Sequence, residues 1–192
     1  MPNNIIAVTH HYLKEWLRPG QIAVDATVGQ GFDTQQLAEY VGKTGHVYGF
    51  DIQATAIKAT TERLAAAHLN ERVTLYHAGH EQLDALLPKE VTIDLAIFNL
   101  GYLPHGDKTI ITHPETTLAA IRQILNRLNV NGHLLIAAYI GHPGGHEEYE
   151  AITEYLTALD QRQFTVGRFE FINQKNYPPK LLTIERRPQR ES

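Results

Sequence analysis

Two short runs carry the chemistry this sequence can offer. The first is Val24-Asp25-Ala26-Thr27-Val28-Gly29-Gln30-Gly31-Phe32-Asp33-Thr34: an apolar segment stops at an acid, two glycines follow one residue apart, and an Asp-Thr pair opens a helical pattern. Strand, tight loop and helix in that order hold nucleotide-like ligands, because glycines let the backbone turn sharply and come close to the ligand. The second is Asn99-Leu100-Gly101-Tyr102-Leu103-Pro104, which follows the apolar run over 93–98. The side-chain oxygen of Asn99 and the carbonyl of Leu100 can accept hydrogen bonds from an amino group and so aim its lone pair. Tyr102 offers a flat face for a base, an interaction worth about 1–3 kcal/mol per base in single-stranded recognition.

Charge decides which ligand the glycine loop suits. A dinucleotide site wants a third glycine where this chain has Thr34, and Asp25 and Asp33 would oppose a pyrophosphate. S-adenosylmethionine instead brings an ammonium and a sulfonium, which carboxylates attract. Asp51 ends the next apolar run, twenty residues after Gly31, where a carboxylate can take both ribose hydroxyls. The expected cofactor pocket comprises Asp25, Ala26, Thr27, Gly29, Gln30, Gly31, Asp33, Thr34, Asp51, Ile52, Gln53, His80, Glu81 and Asn99. Three rivals stay open: an ordinary strand-to-helix turn with capping aspartates, a nicotinamide site, and a module that senses S-adenosylmethionine without turning it over.

Methyl transfer from a sulfonium is an in-line displacement that needs alignment and no metal. An alkylamine must first lose a proton, and His105, His142 and His146 are candidates to receive it. His77/His80 and His142/His146 also raise a metal reading, but Pro143-Gly144-Gly145 breaks any helical facing between the latter pair, and no metal is expected. Leu100, Tyr102, His142, Lys175 and Lys180 are the expected substrate contacts, with Asn99 and Tyr102 as the catalytic pair. Between Arg162 and Arg190 seven basic residues face two acids, so this stretch is either a phosphate-reading edge or a solvated charged face.

The elements that must position these groups follow a βαβ rhythm. The spacing predicts a helix over 9–17, capped by Thr9 and lidding the cofactor end, then strands over 21–27, 46–51, 73–77, 93–98 and 132–140. Helices are predicted over 33–41, with Gly42 as terminator, and over 54–68, 81–87, 114–128 and 147–159. Strands over 164–171 and 181–185 have no helix between them and must pair antiparallel. The expectation is an α/β fold with a seven-stranded, mostly parallel sheet, one reversed strand and helices on both faces, forming one domain over 1–192.

Composition narrows the class. A net charge of −4 argues against a broad nucleic-acid-coating face, and 43% hydrophobic residues with no cysteine exclude disulfides, thiolate metal sites and thiol nucleophiles. No apolar run is long enough for a membrane span and the N-terminus lacks a secretory pattern, so a cytoplasmic enzyme is expected.

Asp25-Ala26-Thr27 with Gly29, Gly31, Asp33 and Thr34, then Phe98-Asn99-Leu100-Gly101-Tyr102-Leu103-Pro104 with Gly106-Asp107-Lys108, Gly141-His142-Pro143 with Gly145, and Phe171-Ile172-Asn173-Gln174 with Asn176, Pro178 and Pro179 resemble the bacterial putative rRNA methylase family. The resemblance implies a class I S-adenosylmethionine-dependent (Rossmann-like) methyltransferase fold and a homodimer. It also implies a tRNA substrate, methylated on the exocyclic amine of 5-aminomethyl-2-thiouridine at the wobble position. Asn99 to Tyr102 is further similar to the Asn/Asp-Pro-Pro-Tyr signature of amino-group methyltransferases, with Leu100-Gly101 in place of the prolines. Methylation of rRNA, of a small molecule or of a protein amine are the alternative acceptors.

Overall fold

The most apolar run of the sequence becomes the middle of the sheet. In a computed structural model of the chain, which describes residues 4–101 and 112–188, β4 (Ile93–Leu100) lies between β1 (Ile22–Asp25) and β5 (Leu128–Ala138). The full order of the seven strands is β3 (Val73–His77), β2 (His46–Asp51), β1, β4, β5, β7 (Lys180–Arg186) and β6 (Phe164–Phe169). β7 is antiparallel to β5 and β6, and every other pair is parallel. Helices α1 (Ile5–Trp16), α2 (Phe32–Val41), α3 (Ala54–Ala66), α4 (Leu83–Leu86), α5 (Pro114–Arg127) and α6 (Gly145–Thr157) cover the two faces.

Strand alternation divides the core and aims the site. Leu95 and Ile97 of β4 pack with Ile5, Val8 and Leu13 of α1 and Leu37 and Val41 of α2. Ala96, Phe98 and Leu100 pack with Ile121 and Ile124 of α5 and Tyr149 and Ile152 of α6. Because successive residues face opposite ways, Asn99 continues the Leu95–Ile97 row and is delivered toward α1 and α2. On either side of β1 the chain proceeds in opposite directions along the sheet, so a crevice opens at the carboxyl ends of β1 and β4.

Several boundaries differ from the sequence expectation. α1 starts at Ile5, capped by Asn4, whose side chain accepts from the Ala7 N–H at 2.8 Å; Thr9 is buried within the helix. The expected helix over 81–87 is a 3₁₀ turn followed by the single turn of α4. β4 runs on to Leu100, so Asn99 sits on the strand itself. β5 starts earlier, at Leu128, and α6 starts at Gly145, after Gly144 at φ 82°. Near the other end of α1, the Trp16 ring stacks between Tyr12 at 4.4 Å and His133 of β5 at 4.0 Å, anchoring the helix to the sheet. Among the described residues no helix is long and apolar enough to cross a membrane.

Candidate active site

A cavity of about 1390 Å³ opens over the carboxyl ends of β1, β2 and β4, bounded by α1 and α2 and by the turns after β3 and β5. Its floor is the loop from Ala26 to Gly31, which threads between two strands: Ala26 N–H donates to Ile97 O at 2.9 Å and Val28 N–H to Phe50 O at 3.1 Å. Asp51 holds the loop from the β2 side, accepting from Gly29 N–H at 2.9 Å and from Gln53 N–H at 2.8 Å. The Gln30 carbonyl takes the Arg63 guanidinium at 2.9 Å, and that guanidinium lies 3.7 Å from the centroid of the exposed Phe32 ring.

The second glycine has a different reason from the one its sequence suggests. Gly31 adopts φ 77° at the N-cap of α2, and a Cβ there would meet Thr60 Oγ1 of α3 at 2.5 Å. Clearance from a helix, rather than from a ligand, keeps this residue a glycine.

Asp33 is the hub of the cavity. One carboxylate oxygen accepts from Asn99 Nδ2 at 2.7 Å and the other meets His10 Nε2 at 2.7 Å. A carboxylate accepts only, so it fixes the Asn99 amide with its nitrogen inward and leaves Oδ1 as that side chain's acceptor. The Asn99 backbone is held as well, its N–H donating to Thr27 Oγ1 at 2.7 Å. The Leu100 carbonyl, expected to share in holding an amine, accepts from Tyr139 N–H at 3.1 Å and keeps its second lone pair beside Asn99.

Asp25 does not join these groups. It is fully buried beneath the loop, accepting from Thr34 Oγ1 at 2.6 Å and from Thr27 N–H at 3.2 Å, and neither it nor Thr34 lines the cavity. Burial, and then the neighbouring charge of Asp33, push its carboxyl up from 3.8 to about 7. Of the two acids flanking the glycines, Asp33 faces the cavity and Asp25 supports it from below.

On the far wall, His80 is buried and its Nδ1 donates to the Ala26 carbonyl at 3.1 Å, which fixes the other nitrogen as an acceptor; that Nε2 has no partner. Burial holds this imidazole below its usual range, keeping it neutral. Glu81 folds its carboxylate over Gly79, and Ile52 exposes an apolar side chain at the rim. S-adenosylmethionine fits these walls. Among the described lining residues Asp33, Glu39, Asp51 and Glu81 face one guanidinium, Arg63, which is already engaged; the bare nitrogen of His80 suits an exocyclic amine; and Ile52 suits a flat base.

The remaining expectations divide. His142 and Gly141 line the cavity mouth together with Tyr177, whose φ is 53°. Lys180 is turned to other partners, pairing with Glu170 at 3.3 Å and lying 5.0 Å from the Tyr149 ring centroid. Arg162 is held by Asp160 and Arg168 by Glu170, each at 3.1 Å, while Lys175 is exposed on the β6–β7 connection. His146 is exposed and pairs with Glu150. Tyr102, His105 and Arg190 lie outside the described residues. Among the described residues no cluster of three or more His, Asp or Glu is arranged to hold a metal ion. His10, Tyr139 and Arg63 were missed; His10 could have been suspected only from its place in a helix expected to lid the cavity.

Comparison with known proteins adds to this geometry. A family model described as "Putative rRNA methylase" matches residues 47–185. The chloroplastic tRNA (mnm(5)s(2)U34)-methyltransferase of Arabidopsis thaliana is 33% identical over 187 residues, an alignment spanning 93% of this chain and 68% of that protein. The crystal structure of a "putative rRNA-methylase" from Clostridium thermocellum superposes with a TM-score of 0.93 at 42% identity, covering 97% of this chain and 99% of the other. A "putative methyltransferase" from Streptococcus mutans, in complex with SAH, superposes with a TM-score of 0.87 at 38% identity and the same coverage.

Proposed function

The chain belongs to the Putative rRNA methylase family and is an S-adenosylmethionine-dependent RNA methyltransferase, and from that premise we propose that it methylates the exocyclic amine of 5-aminomethyl-2-thiouridine at the wobble position of tRNA. One observation carries the choice of an amine: Asn99, at the tip of β4, has its amide nitrogen tied to Asp33, so its oxygen is the acceptor offered to a substrate N–H. The donor, when bound, supplies an electrophilic methyl on a positively charged sulfur. Asp51 and Gln53 hold its ribose, His80 and Ile52 its base, and Gly29, Gln30 and the Asp33 carboxylate its charged end. Asn99 Oδ1 accepts from the amine and turns its lone pair toward the methyl, which is positioning catalysis. Tyr177 at the mouth and Lys175, exposed on the same β6–β7 connection, receive the anticodon loop, with Tyr102 as a stacking face. The resemblance to the family supports a homodimer, and the cysteine-free composition supports a reducing, cytoplasmic compartment.

The test is single-turnover transfer of tritiated methyl into tRNA bearing aminomethyl-uridine, against the unmodified tRNA. Asn99→Ala should slow transfer by about 100-fold, the cost of a misplaced reacting group, while donor binding measured by calorimetry persists. Transfer at the wild-type rate by Asn99→Ala refutes the role given to the amide, and equal labelling of both tRNAs refutes the acceptor.

A further inference from the structure

A carboxylate tied at one oxygen alone can still pivot, so the grip of Asp33 on the Asn99 amide is only as firm as the hold on its other oxygen. We infer that His10 of α1 is a positioning residue for methyl transfer, fixing Asp33 and through it the oxygen that Asn99 offers; the inference rests on the amine reading above and moves no proton.

Asp33 and Gln36 are three apart on α2 and share a face, and the His10 ring spans them. His10 Nε2 meets Asp33 Oδ1 at 2.7 Å, and Gln36 Nε2 donates to His10 Nδ1 at 3.3 Å. In a ring with a single hydrogen, that donor needs Nδ1 bare, so the hydrogen sits on Nε2 and points at Asp33. Reversing the Gln36 amide would set its oxygen against the bare Nδ1, which is why its nitrogen faces the ring although Oε1 is buried without a partner. Asp33 Oδ2 then accepts from Asn99 Nδ2 at 2.7 Å. The carboxylate is held from both sides by short bonds, and the series ends with Asn99 Oδ1 turned to the amine.

The series is carried on packed elements. Ile5, Val8 and Leu13 of α1 are buried in the core, while Ile6 and His10, four apart on the same helix, reach the cavity. The side chains of His10 and Asp33 are 28% and 18% exposed, so water competes little for their bond. The first helix is thereby part of the machinery that aims the amine, not only a wall of the cavity.

Single-turnover methylation of aminomethyl-uridine tRNA, with donor and tRNA saturating, tests this. His10→Ala should be about 10-fold slower than wild type with both affinities unchanged, because a loosened reacting geometry costs rate rather than binding. His10→Gln, whose side-chain amide can still donate to Asp33, should recover to within a few-fold of wild type. Combining His10→Ala with Asn99→Ala should be no slower than Asn99→Ala alone, since the imidazole acts only through that amide. A wild-type rate for His10→Ala, a glutamine no better than the alanine, or slowing that multiplies in the double variant overturns the inference. In ¹⁵N spectra of the wild-type protein at about pH 9, above the usual histidine range, the His10 ring should carry its hydrogen on Nε2, and the Asn99 side-chain amide resonance should move in His10→Ala. A hydrogen on Nδ1, or an unmoved amide, overturns it as well. If the wild type leaves that tRNA unmethylated, or Asn99→Ala transfers normally, the amine reading falls, and the spectra still decide whether His10 orients Asp33 and Asn99.

Discussion

Gly31→Ala separates two explanations of the glycine loop. At φ 77° an alanine pays about 1–2 kcal/mol for the left-handed backbone. Its methyl would also sit 2.5 Å from Thr60 Oγ1 and 2.7 Å from Thr60 Cγ2, and forcing a methyl into a packed site costs about 1–3 kcal/mol. Thr60 is fully buried and donates to Gly29 O at 3.2 Å, so it has little room to retreat. The sum, about 3 kcal/mol, corresponds to a Tm lower by roughly 6–12 °C for a chain of this size. Differential scanning calorimetry without ligand reads the total. A double-mutant cycle with Thr60→Ala then isolates the steric part, and removing Oγ1 and Cγ2 should return about 1 kcal/mol while the backbone cost stays. If Gly31→Ala melts like wild type and loses only donor affinity, the glycine exists to clear the ligand and the reasoning from Thr60 is wrong.

Two further outcomes are expected. Asp25 sits at about 7 against 3.8 in the unfolded chain, so between those values the folded state keeps a proton that the unfolded state has lost. Its contribution to stability is complete below pH 3.8 and declines by about 4 kcal/mol as pH rises through 7. Urea unfolding of Asp25→Asn at pH 5 and pH 8 should show the variant gaining on wild type at the higher pH, and an equal difference at both pH values refutes this. Glu148 is 1% exposed and accepts from Thr112 Oγ1 at 2.6 Å and Thr117 Oγ1 at 2.7 Å, so Glu148→Ala strands two hydroxyls beside a new void. It should cost about 3 kcal/mol by chemical denaturation, and a loss under 1 kcal/mol contradicts that account.

What could be read in advance was whatever local pattern determines. β2 and β3 end where alternation and apolar runs place them, and the sheet with one reversed strand follows from the absence of a helix between the last two strands. The partnership of Asp33 with Asn99 joins residues that were both singled out as site residues, although not as a bonded pair. Asp25 was harder, because a carboxylate ending a strand can point into the crevice or beneath it, and only the packing of Thr34 from α2 decides. His10 is one of eleven histidines, and the 23 residues separating it from Asp33 close only when α1 folds back over the sheet. Lys180 and Arg162 read as free cations until Glu170 and Asp160 are seen beside them.

The stack of Tyr12, Trp16 and His133 gives this protein a built-in optical reporter. Trp16 is the chain's one tryptophan, and the helix that carries it also brings Ile6 and His10 to the cavity wall. Any shift of that helix must unstack the indole from the imidazole, so unlabelled emission follows the seating of the cavity's lid. Burial keeps the His133 ring below its usual range, so it stays neutral and leaves the signal steady near physiological pH.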